Sequence, residues 1–495
     1  MDAGFYFFEQ IFNSAIFYFA LIVMCSYIFL CFFSALEMKA YMRKNSFIDY
    51  REILVSPHAP SVSILAPAYN EEATIVDNVK SIMSLHYGNF EIIIINDGSK
   101  DNSLQKLIDA YQLEKVNFCV NEQINHKPIR GIYKSRNSSY SKLIVIDKEN
   151  GGKSDALNAG INVSSKDLLL CIDVDCIVEQ DALLKLVKPY LEEKKRVIAT
   201  GGVVRIANSC EVEDGRLVKV HMPKNIISRF QVLEYIRAFL MGRMAWSRLN
   251  GLLIISGAMG LFDKEIVIKC GGYSHETVGE DMELVVRMRR YMHDHNLKYQ
   301  VVYIPDPLCW TESPIDFKVL GRQRNRWTRG TIETLWTHRD LFFNPKYSIL
   351  GLLSYPYWLF FEWLAPILEG IGIISFILLA SLGKINWEFS GILFFMVYSF
   401  SILLSTIAVL FEERSYHQYT SGKDVLKLLL LAFIEPIVYH PLTIYWSVRG
   451  NIDKFTGKKT WGTMTRAGFA GNQKNKVEPT TVAVSPVIIK EEQSV

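Results

Sequence analysis

The sequence predicts an α/β domain of the doubly wound kind, flanked by membrane-spanning segments, on three observations. Residues 55–340 alternate short runs rich in Ile, Val and Leu with stretches of helical character. Acidic motifs fall where those runs end, as expected if a ligand occupies the crevice beyond the carboxyl ends of parallel strands. Long apolar stretches stand on both sides of this region. With 49% hydrophobic residues over 495 positions, the chain is too apolar for one soluble domain, although its middle has ordinary polar density. The organisation read from this is a membrane segment at 1–40, the α/β domain at 55–340, a membrane and interfacial region at 345–450, and a basic juxtamembrane segment with a disordered tail at 451–495.

Residues 11–36 carry no charge and exceed the roughly 20 residues needed to cross a hydrocarbon core. They read as a retained span rather than a signal peptide, because the stretch is too long and no basic residue precedes it. Lys39, Arg43 and Lys44 follow it, which favours a cytoplasmic α/β domain and an external amino terminus. Apolar stretches recur at 350–382, 388–411 and 425–447. The first holds Pro356, Glu362, Pro366 and Glu369, so it is either an interfacial segment leading into a span or a broken helix lining a cavity. Four single crossings would leave the carboxy terminus outside, whereas Arg449, Lys454, Lys458, Lys459 and Arg466 favour inside. Either 350–382 crosses twice, or one late segment is re-entrant or interfacial. The expected location is a multi-pass protein of the plasma or inner membrane.

Charge excludes one class of partner: 54 Lys+Arg against 51 Asp+Glu gives only +3, with no basic excess for nucleic acid. Eight irregularly spaced cysteines give no metal or disulfide pattern, and Cys171 and Cys176 read as packing thiols. Strands are expected at 61–67 (SVSILAP), 90–96 (FEIIIIN), 142–147 (KLIVID), 167–172 (DLLLCI) and 197–206, forming a mostly parallel sheet buried on both faces. Helices are expected at 72–84, 99–111, 153–161 and 181–191. From about 207 to 255 the pattern shifts to a long helical stretch, which serves as core or as a face toward a ligand or the membrane. After Gly471 the chain is polar and aperiodic, as in a disordered tail.

The first strand run passes into Tyr69-Asn70-Glu71-Glu72. This is turn chemistry, or a nucleotide loop in which Tyr69 stacks on a base and Glu71 or Glu72 accepts from ribose hydroxyls. Asn96-Asp97-Gly98-Ser99 ends the second, where Asp97 binds a base's polar edge or caps the next helix. In Gly151-Gly152-Lys153, two glycines at a helix start let backbone approach a phosphate, and Lys153 adds charge. The P-loop spacing fails and no dinucleotide glycine fingerprint exists, which sets aside ATPase and dehydrogenase readings.

Asp173-Val174-Asp175 ends an apolar strand, so two carboxylates share one face, a hard-oxygen set suited to Mg2+ or Mn2+ on a diphosphate. Unpaired, they would be costly at a buried strand end. Gly251–Gly260 is glycine-punctuated, either touching a sugar by backbone or simply turning tightly. Gly279-Glu280-Asp281 opens a helix, where the dipole favours acids. That setting also suits a base for an acceptor hydroxyl, for which Asp281 is preferred to Glu280. Gln323, Arg326 and Trp327 lie in a basic juxtamembrane helix, which either neutralises anionic lipid or presents Arg to phosphate and Trp to a sugar ring.

At these residues the chain resembles an inverting family 2 glycosyltransferase of GT-A fold, in the membrane-integrated β-glycan synthase group that includes cellulose, chitin, hyaluronan and poly-N-acetylglucosamine synthases. The resemblance covers about 55–470 and is nearest to poly-N-acetylglucosamine-synthase-like members, including Trp461-Gly462 and Thr465-Arg466. It implies that Asp173 and Asp175 bind metal and nucleotide diphosphate, that Asp97 holds the base, and that Asp281 is the catalytic base in a Thr-Glu-Asp motif whose Thr is Gly279 here. It further implies that Gln323, Arg326 and Trp327 are the Gln-x-x-Arg-Trp motif of processive members. No Phe-x-Val-Thr-x-Lys gating loop follows Trp327, and no cyclic-dinucleotide-binding segment is recognised. The implied activity is transfer from a UDP-sugar, GlcNAc or another hexose, to a growing β-linked polysaccharide, coupled to export through the membrane or with partner proteins. The alternatives are single transfer to a lipid-linked acceptor, and an export protein with a lapsed catalytic domain, against which intact Asp175, Asp281 and Trp327 argue.

Overall fold

The computed structural model describes residues 2–45, 50–213, 215–419 and 421–457. Lys458, Lys459, Arg466, the pairs Trp461-Gly462 and Thr465-Arg466, and the tail lie outside the described residues. In chain order, α1 (Asp2–Asn45) and α2 (Arg51–Val55) precede β1 (Val62–Ala68), α3 (Ile75–Met83), β2 (Phe90–Asp97), α4 (Ser103–Tyr111), β3 (Leu113–Val116) and β4 (Ile129–Ser135). Next come β5 (Leu143–Lys148), α5 (Lys153–Val163), β6 (Leu168–Ile172), β7 (Ile177–Val178), α6 (Ala182–Glu192) and β8 (Arg196–Ile206). A hairpin of β9 (Glu211–Glu213) and β10 (Arg216–Lys219) leads to α7 (Ile226–Ile236), which runs through a π-helical stretch into α8 (Met244–Arg248). β11 (Met259–Asp263), α9 (Lys264–Lys269), α10 (Glu280–Asp294), β12 (Tyr299–Thr311) and α11 (Phe317–Thr337) follow. A single turn, α12 (Tyr355–Tyr357), sits between π-helical stretches ahead of α13 (Ala365–Ser381), α14 (Trp387–Ser415), α15 (Gly422–Val438) and α16 (His440–Phe455).

Ten strands form one sheet in the order β3-β4-β5-β2-β1-β6-β11-β8-β12-β7. The five expected runs became β1, β2, β5, β6 and β8, each end within one residue of expectation. Their Ile, Val and Leu content is what a pleat buried on both faces selects, and every residue of β2 is buried. The sheet is mixed rather than mostly parallel. Parallel pairs join β1 to β2 and β6, β2 to β5, and β8 to β12, but β11 runs antiparallel between β6 and β8. That reversal brings the residues just before β11 to the edge where β1, β2, β5 and β6 end.

Small residues set the depth of α5 on this sheet. A Cβ on Gly160 would stand 3.1 Å from Ile95 Cδ1 and 3.3 Å from Leu65 Cδ2, so the helix lies directly against β1 and β2. Helices α3 and α4 start three or four residues later than expected, because the loops before them are laced together. Ser99 Oγ accepts from Asn70 N–H at 3.0 Å, Ser103 Oγ from Glu71 N–H at 3.0 Å, and an Asp101 carboxylate oxygen from Glu72 N–H at 3.1 Å. These bonds compete with helical ones at the same residues.

Among the described residues, three helices are long and apolar enough to cross a membrane: Asn13–Asn45, Leu350–Ser381 and Trp387–Ser415. Residues 350–381 are thus continuously helical. α15 and α16 pass the same test together but are bent by 48°. Two ion pairs join these helices to the α/β region: Arg205 of β8 with Glu412 of α14, both buried, and half-buried Arg237 with buried Glu435 of α15, the second at 2.8 Å. Removing one partner of such a pair strands the other charge, at a cost of roughly 3–5 kcal/mol. Glu412→Ala is therefore expected to lower the melting temperature of the purified protein far more than Glu193→Ala, at a partly exposed pair with Lys44.

Candidate active site

The carboxyl ends of β1, β2, β5 and β6 present Tyr69, Asp97, Lys153 and Asp173 along one edge of the sheet. Tyr69 is half-exposed beside the laced loop, and Glu71 Oε2 accepts from Thr74 Oγ1 at 3.1 Å. Asp97 is buried, and its carboxylate is closely held. It pairs with Lys148 Nζ at 2.9 Å and accepts from Gly151 N–H at 3.0 Å and Gly152 N–H at 2.8 Å. The two glycine amides expected to face a phosphate are thus engaged by Asp97, which fixes the turn before α5 rather than capping α4. Asn102 is the residue at the start of α4. Gly152 has φ +89°, and a Cβ on Gly151 would overlap the Asp155 carboxyl group at 2.4 Å, so both positions require glycine.

Lys153, first residue of α5, reaches across to β6 and α10. Its ammonium donates to Asp173 Oδ1 at 2.5 Å and Gly257 O at 3.1 Å, and lies 3.8 Å from Glu280 Oε1. Burial disfavours its charge, but Asp173 and Glu280 outweigh that and hold its pKa above the usual lysine value. Burial raises the pKa of Glu280 above the usual carboxyl range, with Lys153 opposing and Asp281 reinforcing the rise. Asp281 Oδ2 accepts from Gly257 N–H at 2.9 Å, and its other oxygen from Met282 N–H at 2.9 Å. Gly257 therefore touches both groups: its carbonyl holds the lysine and its amide holds the aspartate. It lies in the glycine-punctuated run that the sequence singled out, brought here by the antiparallel entry of β11.

Ligand atoms of Asp173, Asp175 and Cys176 lie within 4.8 Å of one another. A hydrogen bond with Cys309 and burial raise the Cys176 pKa, so this group is a thiol beside two carboxylates. Two adjacent carboxylates match the hard-oxygen preference of Mg2+ or Mn2+.

α11 supplies the third side. Asp316 caps it by accepting from Lys318 N–H at 2.8 Å and Val319 N–H at 3.1 Å. Its neighbour in space is the turn opening α10: a Cβ on Gly279 would stand 2.7 Å from Gly330 Cα, and one on Gly330 2.7 Å from Gly279 Cα. The glycine that replaces threonine in the acidic motif is thereby explained by direct backbone contact. Arg324, buried and not foreseen from sequence, donates to Glu234 at 2.6 Å and to Tyr439 Oη at 3.2 Å, and stacks 4.1 Å over the Trp327 ring. Glu234 lies 90 residues away in the chain, so no local pattern could reveal the pair.

A cavity of about 1920 Å³ joins these pieces. Lys153, Asp173, Glu280, Asp281, Gln323, Arg326 and Trp327 line it, and it continues between α1, α13, α14 and the bend of α15 and α16. Among the described residues, Tyr69, Glu71, Asp97 and Asp175 stand outside that lining.

A mixed α/β sheet with acids at its strand ends, beside apolar helices, is the architecture expected of a membrane glycosyltransferase of the GT-A class. The model described as glycosyl transferase family 2 matches residues 63–248, and that of glycosyl transferase family group 2 matches 168–411. Together the two matches run from residue 63 to residue 411, so likeness to family 2 glycosyltransferases extends through the α/β region into the late apolar helices. The chain is 29% identical over 340 residues to the poly-beta-1,6-N-acetyl-D-glucosamine synthase of Staphylococcus aureus (strain COL), covering 68% of each chain. To the synthase of that name from Staphylococcus epidermidis it is 27% identical over 401 residues, 79% of this chain and 81% of that one. Among solved structures it is similar to a mannosyltransferase from Pyrobaculum calidifontis in complex with GDP-Man and Mn2+, at 13% identity and a TM-score of 0.48, covering 90% of this chain and 99% of that one.

A Cβ on Gly257 would stand 3.0 Å from Lys153 Nζ and 3.3 Å from Asp281 Oδ2. Because displacements of about 1 Å can cost on the order of 10²-fold in rate, Gly257→Ala is expected to lower sugar transfer by about 10- to 100-fold with its thermal melting curve little changed.

Proposed function

We propose that this chain is a processive synthase that transfers a hexose, GlcNAc or a close relative, from a UDP-sugar to the end of a β-linked polysaccharide and passes the product through the membrane. The single observation that carries this reading is the continuous cavity from Asp281, past Trp327, into the space between the apolar helices. The names of the relatives support N-acetylglucosamine as the sugar and a polysaccharide as the product.

In this reading Tyr69, Glu71 and Asp97 form the nucleoside end of the donor site, and Lys153 faces the diphosphate. Asp173 and Asp175 would hold a divalent cation, Mg2+ or Mn2+, which supplies neutralising charge to the leaving diphosphate. Asp281 accepts the proton of an acceptor hydroxyl, and that oxygen attacks the anomeric carbon. The bond from that carbon to the diphosphate oxygen breaks on the opposite face, UDP leaves with the electron pair, and configuration inverts. Gln323 and Arg326 hold the acceptor, with Trp327 offering a flat face to its sugar ring. The α/β domain at 55–340 is cytoplasmic, and α1, the Leu350–Ser381 helix and α14 make three crossings, with α15 and α16 remaining on the domain side.

The test is purified protein in lipid, given a panel of labelled sugar nucleotides with Mg2+ or Mn2+, with products sized. A ladder of long products from one donor is expected, and Asp281→Asn should slow it by about 10²–10⁴-fold, the usual contribution of a general base. One sugar per lipid and no polymer would sink the processive reading, and no donor consumption would sink the synthase.

A further inference from the structure

We infer that Glu333, outside the cavity lining, is a positioning residue for the transfer step, acting through Asp281; the inference rests on the proposed reaction. Glu333 lies on α11, two turns beyond Arg326, and is buried. One carboxylate oxygen accepts from Val278 N–H at 2.9 Å, and the other from Lys454 Nζ of α16 at 2.8 Å. Val278 immediately precedes Gly279, the residue at the mouth of α10, whose first two residues are Glu280 and Asp281. One side chain therefore joins three elements: the turn that aims the base, the helix that bears Trp327, and the bent membrane-proximal pair.

Neighbouring contacts make that joint stiff. Gly279 and Gly330 touch through their backbones, one helical turn before Glu333. α16 is held to α11 independently by Asn325 with Asp453 at 2.9 Å, and by Gly450, whose Cβ would stand 3.0 Å from Thr328 Cβ. On the far side of Asp281, Gly257 N–H grips its carboxylate at 2.9 Å. The base is thus located from two directions, by Gly257 on its side chain and by Glu333 on the backbone leading into its helix. Loosening the second hold lets the first turn of α10 shift while the donor loops at β1, β2 and β6 keep their own bonds. The consequence belongs to turnover and not to donor binding.

Two conservative variants separate reach from charge. Glu333→Gln keeps an oxygen at full length for Val278 N–H and gives up the ion pair with Lys454. Glu333→Asp keeps the charge and is one methylene too short to span both partners. In lipid-reconstituted full-length protein, Glu333→Asp is expected to lower kcat by about 10- to 100-fold with donor KM and UDP affinity within about twofold of wild type. Glu333→Gln should retain most of kcat, and melting temperatures of the two should agree. The inference is overturned if the Asp variant turns over at the wild-type rate, if the Gln variant loses as much as the Asp variant, or if the loss appears in donor KM. Absence of transfer by the wild-type chain would instead overturn the synthase reading.

Discussion

The crevice depends on neutralising carboxylates that the fold has removed from water. Asp97, Asp155, Asp175 and Glu280 are all buried at or beside the strand ends, and Asp173 is half-buried. Two lysines five residues apart answer four of these acids. Lys148, at the end of β5, sits between Asp97 and Asp155, and Lys153, at the start of α5, between Asp173 and Glu280. An ammonium with no exposed surface is tolerable only because each partner is close enough to offset its lost hydration. The turn between the lysines inherits its form from this arrangement. Asp97 draws in two consecutive amides, which demands the backbone of Gly152 and leaves no room for a side chain at Gly151.

The same constraint, carried outward, joins the α/β domain to the apolar helices. Arg205 with Glu412, Arg237 with Glu435 and Arg324 with Glu234 each place a guanidinium against a carboxylate, and two of the three cross from the domain to α14 or α15. Inside a low-dielectric boundary such pairs tolerate little sliding, since a displaced partner is left charged and dry. Tyr439, at the break between α15 and α16, adds its hydroxyl to the Arg324–Glu234 pair. The wall of the cavity beside Trp327 is therefore fixed by the membrane-proximal helices as firmly as by the sheet.

How much of this the sequence disclosed varies with the range of the interaction. β1, β2, β5, β6 and β8 were legible because burial on both faces leaves an unbroken apolar run, which needs no knowledge of partners. β12 was not legible. Pro305 and Pro307 interrupt its pattern, and the structure accommodates them by shifting register against β8 on either side of Pro307. The acids Asp173, Asp175 and Asp281 and the motif of Gln323, Arg326 and Trp327 stood out because their spacing is local, and of these all but Asp175 line one cavity. The roles of Gly257 and Gly279 were not legible, since each is defined by a contact that the chain closes over 24 residues or more. Asp97 shows the intermediate case: its position at a strand end was visible, but its bonds to the next loop were not.

The number of crossings, ambiguous from hydropathy, turns on where helix ends are tied. Glu412, in the last turn of α14, pairs with Arg205 of β8, so α14 ends at the domain and α15, seven residues beyond Ser415, begins there. The last turn of α16 is tied to α11 through Asp453 and Lys454. The 48° bend lets α15 and α16 follow the domain instead of leaving it, with Glu435 buried inward while Leu430, Phe433 and Ile437 face outward. α14, by contrast, has 29 residues, roughly 43 Å at 1.5 Å per residue, and only its last part is tied to the domain. In the proposed three-crossing arrangement Arg449 and Lys454 fall on the side of the α/β domain, with the basic residues after α1, which would remove the conflict between charge and crossing count.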